Sequence, residues 1–243
     1  MNRKDALLGT GIVAAAALSA GAPASAGNQE PVVASVPNHG KPLSLPKHGL
    51  PRIAVLIGPD TVAIDMIGPW ESFNNAFAAD FASLFMAYTV AETLQPVSVE
   101  GLWVTPHYTF ENVPQPHVVV IPAQRNLPAS IDWVKHVSAH TDVVMSVCTG
   151  AFLLAKTGLL DGLNATTHHS AYDAFEKQFP KIKLIRGPRY VENENISSAG
   201  GESSGIDLAL RVVERYYGEQ KAAESAYNME HVRRSRPQSI HDV

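Results

Sequence analysis

Along this chain, short continuous apolar runs alternate with stretches in which apolar residues recur every three or four positions. Ile53-Ala54-Val55-Leu56-Ile57, Val118-Val119-Val120-Ile121 and Val143-Val144-Met145-Ser146-Val147 are runs of the first kind. Each is stopped by a Pro, a Gly or a polar turn, as expected of strands buried on both faces of a parallel sheet. Phe85 to Val90 is a further β-rich segment. Trp103-Val104-Thr105 and Tyr108-Thr109-Phe110 suit a small hairpin or edge strands. Helical spacing is read over Asp65 to Ala78, with Pro69 tolerated only in a first turn. It is also read over Ile131 to His140, Thr149 to Thr157, Tyr172 to Gln178, Ser204 to Tyr217 and Gln220 to Val232. Short strands fit Lys183-Leu184-Ile185, Tyr190-Val191 and Ile196-Ser197-Ser198. Strands alternating with helices predict an α/β domain over 52–232, with a mostly parallel sheet and helices on both faces. No internal repeat is seen.

The flanks read differently. Arg3 and Lys4 precede an uncharged run from Ala6 to Ala22, and Ala24-Ser25-Ala26 has the small-x-small form of a signal-peptidase site. Residues 1–26 are therefore read as a signal peptide, and the protein as exported, periplasmic or secreted. The apolar run of 17 residues is shorter than the roughly 20 that span a bilayer, and a retained anchor is the alternative. Residues 27–51, with five prolines and no periodicity, read as a linker. Residues 233–243 open with Arg233-Arg234-Ser235-Arg236 and read as a basic tail.

Charge narrows the partners. The formal net charge of −4 argues against a nucleic-acid binder, whose domain is normally basic. A single cysteine, Cys148, excludes an intramolecular disulfide and a multi-cysteine metal site. His136 and His140 have a helical i, i+4 spacing without the glutamate of a zincin motif, and an exposed helix face explains them. Nothing in the sequence requires a metal or a cofactor.

Ser146-Val147-Cys148-Thr149-Gly150 joins a buried strand directly to a helix, as in a nucleophile elbow. Such a turn is tight, and Ser146 and Gly150 are small. Backbone N–H groups at the helix start would favour a thiolate and lower the cysteine pKa. The alternative is a buried structural cysteine.

At these residues the chain resembles the DJ-1/PfpI superfamily, a class-I glutamine-amidotransferase-like, flavodoxin-like fold. It looks most like isonitrile hydratases and the amino-terminal domains of AraC-type regulators. The resemblance is carried by Ala63-Ile64-Asp65-Met66-Ile67-Gly68-Pro69-Trp70-Glu71, by Ser146 to Ala155, by Gly158-Leu159-Leu160-Asp161-Gly162, by Ala165-Thr166-Thr167-His168, and by Ala199-Gly200-Gly201 with Ser204 to Leu210. It implies Cys148 as nucleophile, Thr149 beside the sulfur and Asp65 as the carboxylate that handles the proton. Asp65 as a helix cap is the alternative. His168 would face the pocket as a base or orienting group, or else sit at a helix start near the surface. His169 stands where the family often has a bulky aromatic.

After Ile121-Pro122 the family normally has glycines, whereas this chain has Ala123-Gln124-Arg125. Ala123 and Gln124, with Gly201, are the expected substrate-binding positions. Arg125 suits an anionic substrate or solvent. Glu202, close to the pocket, would raise the thiol pKa rather than lower it.

No helix-turn-helix pair is read between the last helix and Val243, so a DNA-binding role is not expected. The sequence leads to an exported, cysteine-dependent hydratase or hydrolase acting on a small molecule, without nucleic acid or a stable membrane span after signal cleavage. By resemblance it is a homodimer. The alternative is a non-catalytic small-molecule-binding or redox-sensing domain.

Overall fold

The computed structural model describes residues 40–233. The signal peptide read over 1–26 and the tail beyond Arg233 lie outside them. The chain runs β1 (Arg52–Leu56), α1 (Ala63–Asn74), β2 (Met86–Ala91), β3 (Val97–Val99), β4 (Leu102–Val104), β5 (Tyr108–Thr109), β6 (Val118–Ile121), α2 (Pro128–Ser138), β7 (Val143–Val147) and α3 (Gly150–Lys156). It continues through β8 (Asn164–Ala165), a single 3-10 turn (His169–Ala171), α4 (Tyr172–Gln178), β9 (Lys183–Leu184), β10 (Tyr190–Glu192), β11 (Ile196–Ala199), α5 (Ser204–Tyr217) and α6 (Glu219–Asn228).

Seven strands form one sheet in the order β10-β11-β7-β6-β1-β2-β5. All neighbours pair in parallel except β10 with β11. The central runs are apolar throughout because both faces of the sheet are covered. On one face Met66 and Phe73 of α1, Leu208, Val212 and Tyr216 of α5 and Ala222 of α6 pack with Ile53, Val55, Val118, Val120 and Met145. On the other, Trp133 and Val137 of α2, Leu153 and Leu154 of α3 and Phe175 of α4 pack with Leu56, Val119, Ile121 and Val144. The sheet with helices on both faces is the predicted class.

Three local readings change. Leu102–Val104 does form a hairpin strand, but its partner is Val97–Val99, while Tyr108–Thr109 is a parallel edge strand beside β2. Helix α1 begins at Ala63, which puts Pro69 inside it. A proline there has no N–H for the carbonyl four residues earlier, that of Asp65, and the flanking packing carries the loss. The stretch before β1, read as linker, is bound into the domain from Gly40: the Arg211 and Arg215 guanidinium groups of α5 donate to the Gly40 and Lys41 carbonyls at 2.9 Å each, and Leu43 N–H donates to the Arg215 carbonyl at 2.7 Å. No helix among the described residues is long and apolar enough to cross a membrane.

Candidate active site

The elbow is built as the sequence predicts. Strand β7 ends at Val147, helix α3 starts at Gly150, and Cys148 between them has φ 57°, a left-handed conformation costly for a residue with a side chain. Two contacts hold it there. Cys148 N–H donates to the Ala199 carbonyl at 3.2 Å, and the Thr167 hydroxyl donates to the Cys148 carbonyl at 2.9 Å. Gly150 is required by close approach: a Cβ there would lie 2.2 Å from the Ile121 carbonyl oxygen and 2.8 Å from that of Pro122. The start of α3 is thus seated directly on the end of β6.

Asp65, the third residue of α1, is completely buried beside the thiol. It is not the helix cap. Val62 occupies that position, and the first N–H of the helix, that of Ala63, is bonded by Glu100 Oε2 at 2.9 Å. The Asp65 carboxylate instead accepts the Ala123 N–H at 3.1 Å through Oδ2, and the Cys148 side chain is hydrogen-bonded to the same carboxylate. Burial raises its pKa to about 7, against the lowering effect of the Ala123 N–H, and the Glu202 and Glu100 charges add to the rise. The carboxyl therefore titrates near neutrality.

The thiol does not follow the expectation of a lowered pKa. Burial, then the Asp65 charge, push it up to about 11, and the Glu202 carboxylate adds to this. The N–H groups of Thr149 and Glu202 point at the sulfur and oppose the rise without reversing it. Desolvation of a charged form outweighs two dipoles here.

The remaining predicted residues are placed variously. Thr149 is half-buried and its N–H reaches the sulfur. His168 is half-buried and precedes the 3-10 turn. Its Nδ1 lies 2.8 Å from the Ser170 hydroxyl and accepts the Ser170 N–H at 3.3 Å, so the other ring nitrogen carries the proton in the neutral form. Burial, and then the neighbouring His169, lower its pKa. Gly201 seats that ring, since a Cβ there would come within 2.6 Å of His168 Cδ2. Glu202, with φ 33°, stands over the same site.

At Ala123 the N–H is engaged by Asp65 and the carbonyl accepts from Val62 N–H at 2.9 Å. Gln124 lies over the end of β1, with Nε2 3.4 Å from the Leu56 carbonyl, and Arg125 pairs with Asp60 at 2.8 Å on the exposed surface. His136 and His140 are exposed, and the described residues contain no cluster of potential metal ligands. Thr167 and Glu100 were not picked out from the sequence. Thr167 adjoins His168 in a polar run that draws attention to it, whereas a glutamate in a Glu-Gly turn carries no sign of which helix it will cap.

A thiol on a strained elbow, a buried neighbouring carboxyl and two converging N–H groups, at the carboxyl edge of a parallel sheet, define the class of α/β proteins with a cysteine on a strand-to-helix elbow. Within that class the chain belongs to the DJ-1/PfpI family, whose model matches residues 51–215. It is 30% identical over 177 residues to the isonitrile hydratase of Pseudomonas putida, an alignment covering 69% of this chain and 72% of the hydratase. It is 33% identical over 103 residues to the HTH-type transcriptional regulator CdhR of Pseudomonas aeruginosa, covering 42% of this chain but only 30% of the regulator. Among solved structures, a ThiJ/PfpI family protein from Pseudomonas syringae superposes with a TM-score of 0.64 at 25% identity, covering 86% of this chain and 82% of that one. Drosophila melanogaster DJ-1beta superposes with a TM-score of 0.64 at 17% identity, covering 76% of this chain and all of its own.

Proposed function

We propose that the protein is a cysteine-dependent hydratase or hydrolase acting on a small neutral molecule with an electrophilic carbon, isonitriles being the first class to try. The observation that carries this reading is the buried Asp65 carboxyl, with its pKa raised to about 7, beside the Cys148 thiol on its elbow. Above neutrality Asp65 is ionised next to a protonated thiol, the pairing needed for general-base activation of a nucleophile. As sulfur bonds to the electrophilic carbon, the thiol proton passes to Asp65 and then to the substrate. The N–H groups of Thr149 and Glu202 steady negative charge on sulfur during the transfer. Water adds to the same carbon, the C–S bond breaks, and sulfur regains its proton. His168, neutral and held by Ser170, orients substrate at the pocket mouth.

The 30% identity to an isonitrile hydratase supports the substrate class. The signal-like segment 1–26 supports export, and family resemblance supports a homodimer, which light scattering of the mature chain would check. Turnover of methyl- or cyclohexyl isonitrile to the N-substituted formamide, followed by NMR, tests the activity. It should be lost in Cys148→Ser and Asp65→Asn and should rise with pH through about 7 as Asp65 ionises. Full turnover in either variant rules the mechanism out.

A second reading, a binding domain without turnover, is favoured by one observation: the thiol pKa is raised to about 11 rather than lowered. A ligand that stabilises the protein and is recovered unchanged would select it.

A further inference from the structure

Glu100 stands on a tight turn. Strands β3 and β4 form a two-stranded sheet of their own and pair Val99 with Leu102 across Glu100-Gly101. Both turn residues have positive φ, 48° and 91°. Such turns favour Asn, Asp or Gly at the first position, so the backbone gives no reason for a glutamate there. The side chain does. Its Oε2 accepts the N–H of Ala63, 37 positions earlier in the chain, at 2.9 Å. An aspartate on the same turn would be one methylene shorter.

The support for this carboxylate is packed down. Val99 is fully buried in the core that also holds Met66 and Phe73 of α1, and Val97 and Val104 pack against the same cluster. The turn it reaches is the one that carries Asp65. Val62, at the cap position, makes no side-chain bond to the helix, and Pro69 denies the Asp65 carbonyl its usual helical donor. That turn therefore depends on bonds from outside α1. Two come from the stretch just after β6: the Ala123 carbonyl accepts the Val62 N–H at 2.9 Å, and the Ala123 N–H donates to Asp65 Oδ2 at 3.1 Å. Ala63 lies between these two points, and Glu100 holds it from a different element. A negative group is also favourable at a helix N-terminus.

We propose that Glu100 is a positioning residue of the thiol site: through its bond to Ala63 it holds the first turn of α1, and with it the Asp65 carboxylate, in place against Cys148. The inference deepens the function proposed above and rests on it in taking Asp65 and Cys148 as the reacting pair.

Two conservative variants separate reach from charge. Glu100→Asp suits the turn and keeps the charge, but falls short of Ala63. Glu100→Gln keeps the length and an acceptor, but loses the charge. Amide hydrogen exchange of the full chain, followed by NMR, reads the outcome without any substrate. The Ala123 N–H reports the place of Asp65, and the Val144 N–H, bonded to the Asn195 carbonyl at 2.8 Å, reports opening of the sheet. Relative to Val144, Ala123 should exchange about tenfold faster in Glu100→Asp and within about twofold of the parent in Glu100→Gln. A cap that merely stabilised the helix would speed exchange at Ala63 and leave Ala123 unchanged. If the parent turns over isonitriles, Glu100→Asp should also lower kcat by about tenfold with KM little changed, and Glu100→Gln should restore it. The proposal is overturned if Ala123 keeps its protection in Glu100→Asp, if Glu100→Gln loses it as fully, or if kcat is the same in Glu100→Asp as in the parent. Absence of turnover in the parent would instead sink the proposed activity, and the exchange result would still decide whether Glu100 positions Asp65.

Discussion

The Cys148 thiol is kept protonated by burial, by Asp65 and by Glu202, three effects of one sign. Iodoacetamide should therefore alkylate the folded protein at a rate that climbs from pH 7 through pH 10 with no plateau below the ordinary thiol range of about 8.5. Asp65→Asn removes the largest charge acting on the thiol and should speed alkylation at pH 9 by about threefold to tenfold, while abolishing the turnover proposed above. The same variant bears on stability. The folded-state pKa of Asp65 is raised from 3.8 to about 7, so the folded protein retains a proton that the unfolded chain gives up between these values. Stability is thus lost as pH rises from about 4 to 7, and the full cost persists above. Asp65→Asn should match the parent near pH 4 and exceed it above pH 7, by roughly 2 kcal/mol or about 5 °C in Tm, measurable by thermal unfolding at both pH values. Cys148, Asp65, Thr149 and His168 announce themselves by motif. The sign of the thiol shift did not, because desolvation depends on what covers a group, and Asp65 lies 83 positions from Cys148 in the chain.

Strand ends and helix starts carry the site. The close seating of α3 on β6 leaves no volume at Gly150, and both nearest atoms are backbone. Gly150→Ala should accordingly cost about 2–4 kcal/mol, in the range of severe overpacking, read as a lower midpoint in urea with an unchanged slope. The glycine at this position is legible from the elbow pattern; its reason, a carbonyl from another strand, is not. The same division holds elsewhere. The apolar runs of β1, β6 and β7 locate the central strands to within a residue, since burial on both faces leaves an uninterrupted signature. Short β3 has only Val97-Ser98-Val99 to mark it, and α1 starts ahead of Asp65 because Glu100, 37 residues from Ala63, supplies the missing acceptor.

Across the whole domain, α5 anchors the entering chain through charge. Glu192, 2% exposed, accepts from Arg211 Nε at 3.0 Å and lies 3.9 Å from Arg215 Nη1, while these arginines hold the carbonyls of Gly40 and Lys41. Glu192→Gln would leave buried guanidinium charge with less to offset it. The expected loss is about 3 kcal/mol, with earlier proteolysis near residues 40–51 than in the parent. Five prolines in the preceding stretch suggested a linker, and only the tertiary arrangement shows its second half held in place. The sheet order has one more consequence. Cys148 is flanked by a strand on each side, and its N–H waits for Ala199, 51 residues later. During synthesis the elbow therefore leaves the ribosome well before β11 can cover it. The lone sulfhydryl becomes a native clock: pulse-labelling a refolding or nascent chain reports the moment when the non-local pairing that limits parallel-sheet folding is complete.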